Sequence, residues 1–165
     1  MGFFYFISFP VSSQDQKLAD SLIIQYEGGF YLDEGVVLLE RITEEETNPE
    51  KQLKFSELLI EKASKDSLID FLYNGYLQKG NAHQYLGNNV LALDSYFLSL
   101  KYANRIGKEI NIGGLMISIA GTYTAMGNSQ NAQSYYIKGI QLFRKLNDSV
   151  MIATALLNAG DDYFE

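Results

Sequence analysis

Histidine, closely spaced carboxylates and paired glycines are the residue types in this chain that could carry chemistry. His83 is its one imidazole, and with no cysteine and no second histidine it lacks the three or four converging ligands that a metal site needs. Packing between two helices accounts for it. Glu44-Glu45-Glu46 offers neighbouring carboxylates of the kind used in acid–base work, but adjacent helical positions point apart, so the run reads as a solvated surface. Gly28-Gly29 and Gly113-Gly114 sit in no phosphate-cradling pattern, since no G-x-G-x-x-G follows a strand and no Gly-Lys-Ser/Thr occurs. The first pair reads as a loop and the second as a point of close helix approach. Spacing assembles no nucleophile, base and stabiliser, so the expectation is a protein without catalytic residues, metal ligands or cofactor, and not an enzyme.

The elements that would position any site follow from the composition. The chain has 165 residues, 47% hydrophobic and 20% charged, enough apolar content for one folded core. Its two prolines are Pro10 and Pro49, so nothing of that kind interrupts a helix from residue 50 onward. The net charge of -7 is uneven: residues 1–66 hold thirteen acidic and six basic side chains, and residues 67–165 hold seven of each. No cluster of Lys and Arg is dense enough to neutralise a run of phosphates, which argues against a nucleic-acid partner. The absence of cysteine leaves the compartment open.

Laid against itself at a period of 40 residues, the chain repeats. Gly80, Ala120 and Gly160 align, as do His83, Tyr123 and Tyr163; Leu86-Gly87-Asn88 and Met126-Gly127-Asn128; Ala92 and Ala132; Tyr96 and Tyr136; Ser99 and Gly139. Within a unit the apolar residues keep helical spacing, from Ile112, Leu115, Met116, Ile119 and Tyr123 to Ala132, Tyr136, Gly139, Ile140 and Phe143. Two amphipathic helices therefore flank Gly127-Asn128-Ser129, where Gly127 closes one and Asn128 or Ser129 caps the next. Small residues opposite large aromatics let the helices approach closely. Asn48-Pro49 opens a helix that carries Gln52, Phe55, Leu59, Ile60 and Ala63, and the helix before it has Glu40 where Gly80 and Ala120 align.

The succession of Ala120, Tyr123, Ala132 and Tyr136 resembles the tetratricopeptide repeat over about residues 31–165, with a 40-residue period in place of the family's 34 and no proline between units. The resemblance implies an all-α, right-handed antiparallel helix-hairpin solenoid. Its units are about 31–67, 68–107, 108–147 and an incomplete 148–165, three repeats plus a final half repeat, with residues 14–30 as a short N-terminal helix and loop. It also implies a concave groove lined by the first helix of each unit and holding a protein or peptide. By position the groove residues are Asn74, Gln78, Asn81, Gln84 and Tyr85, then Ser118, Gly121 and Thr124, then Asn158 and Asp161. Leu77, Ile117 and Leu157 stand where members that clamp a C-terminal carboxylate carry a basic residue, so that ligand is not expected.

Residues 1–13 combine a short aromatic run, Phe3 to Phe9, with Val11-Ser12-Ser13 before Gln14. That matches a signal-peptide remnant cleaved after Ser13, although no basic residue precedes Lys17; otherwise the segment packs on the first helices. At the other end Ile152, Leu156 and Tyr163 have no following helix to cover them, which points to a truncated array and to self-association through the last helix. The expectation is thus an extracytoplasmic sensing or scaffolding part of a longer bacterial signalling protein, with a cytoplasmic peptide-binding regulator as the alternative.

Overall fold

The structure, a computed structural model, describes residues 13–29 and 35–160. They form eight helices: α1 Ser13–Glu27, α2 Gly35–Glu45, α3 Pro49–Lys65, α4 Ile69–Tyr85, α5 Asn89–Ile106, α6 Glu109–Ala125, α7 Ser129–Lys145 and α8 Ser149–Ala159. Each packs on the next, and α2 also touches α4, as α6 touches α8. The result is an all-α solenoid of helix hairpins, in which α2, α4, α6 and α8 form one layer and α3, α5 and α7 the other. α1 leads the array, and residues 67, 107 and 147 lie in turns between helices.

From α3 onward the helices begin at Pro49, Ile69, Asn89, Glu109, Ser129 and Ser149, a step of 20 residues each time. The repeat therefore divides into two half units of one helix and one tight turn. Each turn places one residue in the left-handed region, at Ser67, Gly87, Gly107, Gly127 and Asn147, again 20 apart. In four of the five turns the next amide donates back into the finished helix: Leu68 N to Ala63 O at 2.9 Å, Asn88 N to His83 O at 2.8 Å, Asn128 N to Tyr123 O at 2.9 Å and Asp148 N to Phe143 O at 3.0 Å. These bonds satisfy carbonyls that a helix end leaves open. Asn48 caps α3 by accepting from Glu50 N and Lys51 N, while Asn128 and Asp148 cap α7 and α8.

Small residues let aromatic rings bridge the layers. A Cβ added to Gly80 would lie 2.5 Å from two carbons of the Tyr96 ring, and one added to Gly113 would lie 2.6 Å from Phe143. Gly139 sits against Ile117 and the Gly113 carbonyl, so α6 and α7 approach backbone to backbone there. Close helix approach is thus the role of Gly113; Gly114 has open space beside it. At the position of Tyr96 the first unit has Ser56, fully buried, which leaves room in the repeat register for Glu40 where the other units need Gly80 or Ala120. Three apolar clusters run along the array, centred on Leu39, Ile42 and Leu59, on Tyr96, Leu115 and Ile119, and on Tyr136, Ile140 and Phe143.

Candidate functional site

Apart from Asp161, the residues expected to line the groove lie on α4, α6 and α8, and four of those on α4 are joined to other helices. Asn74 Nδ2 donates to Glu40 Oε1 on α2. Gln78 Oε1 accepts from Gln52 Nε2 of α3 at 3.2 Å and from Asn81 Nδ2 at 3.0 Å. Tyr96 of α5 brings its hydroxyl to 2.8 Å from Asn81 Oδ1 and 2.9 Å from Gln84 Oε1. A phenol has one proton to give, so one of these amide oxygens receives it. Burial holds the Tyr96 hydroxyl well above the usual phenol range, and it stays a donor at any physiological pH. The α4 amides therefore do more than face water: they form a half-buried polar track that links α4 to three other helices.

The track changes character toward the C-terminal end. In the 40-residue register Asn81 and Gln84 become Gly121 and Thr124, so the Tyr136 hydroxyl has no amide partner at those positions. It donates instead to the main-chain oxygen of Asn158 on α8, at 3.0 Å. A Cβ at Gly121 would lie 3.8 Å from the Tyr136 hydroxyl and 3.9 Å from Gln84 Nε2, which puts Gly121 directly across from the α4 amides. Ser118 and Thr124 turn their hydroxyls back to the carbonyls of Gly114 and Ala120. Tyr85 stands apart, 68% exposed at the end of α4. Asp161 and Tyr163 lie outside the described residues, as does the aromatic run before residue 13.

The acidic run needs a correction. Glu44 reaches solvent, but the protein around its carboxyl displaces part of its hydration, and this together with the nearby Glu40 and Glu45 charges raises its pKa. Glu46 is only 4% exposed: Oε1 accepts from Asn48 N at 2.8 Å and Oε2 has no hydrogen-bond partner. The sequence predicts a solvated surface for the whole run, but α2 ends at Glu45, and Glu46 turns inward to hold the turn into α3. Beside it Gln16 of α1 accepts from both the amide and the hydroxyl of Thr47, which ties α1 to the same turn.

His83 is 7% exposed on the inner side of α4. Nδ1 has no partner, and burial with the nearby Lys79 charge lowers its pKa in spite of Glu57. It occupies the core position that Tyr123 fills one unit later, where Tyr123 stacks on Tyr135 at 5.8 Å. Among the described residues no three His, Asp or Glu side chains come together as metal ligands.

No family model matches the chain, and no curated protein matches it either. Among solved structures, the crystal structure of BtubC (BKLC) from P. vanneervenii is similar in fold, with a TM-score of 0.63 and 16% sequence identity. The match covers 87% of this chain and 60% of that one, so the chain spans less than two thirds of that protein's length. At this identity the likeness is one of architecture. Among the described residues no helix is long and apolar enough to cross a membrane.

The α8 end presents Val150, Leu156 and Leu157 to solvent, and Ile152 half-buried. The side chains that sequence reasoning missed are Gln52 and Tyr96. Both sit in core stripes, and only their polar tips, read together with the amides on α4, mark them as part of the track.

Proposed function

We propose that the chain is a non-catalytic module of the tetratricopeptide-repeat type that binds a protein or peptide along the layer formed by α4, α6 and α8. The observation that carries this reading is the amide track. Core packing requires neither Gln78 nor Gln84, yet Gln52, Asn81 and Tyr96 engage their side-chain oxygens and fix their orientation. With the oxygens occupied, the two amide nitrogens remain as donors, suited to main-chain carbonyls of an extended segment. Gly121 leaves room across from them. The track carries little charge, which fits recognition of peptide backbone over an ionic group.

A selection from a displayed random-peptide library tests this. The wild-type chain enriches binders, whereas Gly121→Leu, which fills the space facing Gln84 at ordinary contact distance, enriches none of them. Failure to enrich any peptide on the wild-type chain overturns the reading.

We further place the module outside the cytoplasm, as the sensing or scaffolding part of a longer bacterial signalling protein. Cleavage after Ser13 would remove only the first residue of α1, leaving Gln16 and its bonds to Thr47 in place. The intact mass of the protein from its native host is expected to correspond to a chain beginning at Gln14. Retention of Phe3 to Ser13 would instead favour a cytoplasmic binding regulator.

A further inference from the structure

The outer helix α5 carries an apolar face that the repeat does not call for. Val90, Leu91, Phe97 and Leu98 are all exposed, Val90 at 63%. Forty residues earlier the same positions on α3 are Glu50, Lys51, Glu57 and Leu58, of which only the last is apolar and half-buried; forty residues later on α7 they are Gln130, Asn131, Ile137 and Lys138. Helices that do the same packing work in the array thus present mainly polar side chains to water at these positions. Natural surfaces seldom gather large apolar residues in this way without a partner.

Three charges, Asp94, Lys101 and Arg105, lie within the same face. Asp94 and Lys101 are exposed, seven residues or two turns apart, and neither takes part in an ion pair among the described residues. Asp94 and Lys101 are arranged as each other's complement. If α5 meets a second α5 antiparallel, about a two-fold axis between Phe97 and Leu98, Asp94 faces the partner's Lys101 and Lys101 faces the partner's Asp94, while the Arg105 stem lies over the partner's Val90. Phe97 and Leu98 then meet at the centre. This is the self-matching pattern that a two-fold interface requires. We propose that the outer face of α5 is a homodimer interface, closed by a second copy of this chain in antiparallel register. Because α5 belongs to the layer opposite α4, α6 and α8, the dimer leaves the amide track open on both copies.

Sedimentation velocity of the full chain over a concentration series tests the proposal, with circular dichroism confirming that each variant is folded. The expected result is a monomer–dimer equilibrium that Leu98→Glu weakens about tenfold or more. Lys101→Asp alone, which sets like charges opposite each other, also shifts it to monomer, and adding Asp94→Lys restores the dimer because both pairs return with their signs exchanged. A chain that stays monomeric at every concentration overturns the proposal. So does a dimer that survives Leu98→Glu, a dimer lost on Leu157→Glu in α8 instead, or a double reversal that fails to restore association.

Discussion

Replacing Gly80 with alanine tests how closely α4 and α5 are packed. The added methyl would lie 2.5 Å from Cδ1 and Cε1 of Tyr96, where carbons in contact sit about 3.5–4.0 Å apart, an overlap of about 1 Å. The Tyr96 ring is fully buried, and its hydroxyl is held by Asn81 and Gln84, so it cannot swing aside without breaking that bond. Overpacking of this kind costs about 1–3 kcal/mol, and losing the hydrogen bond about 1 kcal/mol more. Against this stands the gain of about 1 kcal/mol from replacing glycine by alanine inside a helix. The net expectation is a loss of about 1–3 kcal/mol, read by urea unfolding followed by circular dichroism. Gly114→Ala is the internal control. Nothing lies within 4 Å of its added carbon, so it collects the helix gain alone and stabilises by up to about 1 kcal/mol. If Gly80→Ala proves as stable as Gly114→Ala, the helices are not in the contact described, and the reasoning about small residues fails with it.

Two further outcomes follow from local geometry. Ser67 and Asn147 hold the left-handed turn position that glycine fills at 87, 107 and 127, so Ser67→Gly and Asn147→Gly each relieve a strain of about 1 kcal/mol, partly offset by the freer unfolded chain; a net gain in denaturation midpoint is expected, and a loss at both sites would contradict it. Because the fold lowers the His83 pKa, the unfolded chain takes up a proton there first as pH falls through about 6.5. Its contribution to stability is therefore complete above that pH and declines as pH falls toward the lowered folded value. His83→Phe should flatten the stability profile between neutral and mildly acid pH, and an unchanged slope would remove His83 as its cause.

The solenoid was legible because its turns and small residues are written in sequence: Gly127-Asn128 closes and caps in the structure as its chemistry implies, and Gly80 meets the ring of Tyr96. The half-repeat of 20 residues was not, because its marker is a backbone conformation shared by Ser67, Gly87 and Asn147, residues with little else in common. Glu46 was misread since a run of carboxylates looks uniform until the helix ends within it. Of the groove residues, Asn74, Gln78, Asn81 and Gln84 could be placed on one helix, but their partners Glu40, Gln52 and Tyr96 come from three other helices. Spacing within a unit carries no information about which polar tips meet across units.

The central claim is that the α4, α6 and α8 layer holds a peptide, and hydrogen exchange of the chain with and without a selected library peptide tests it most directly. The account predicts slowed exchange in α4 and α6 around Gln84 and Gly121, absent in Gly121→Leu. Protection confined to α3, α5 or α7, or protection that persists unchanged in Gly121→Leu, would contradict it.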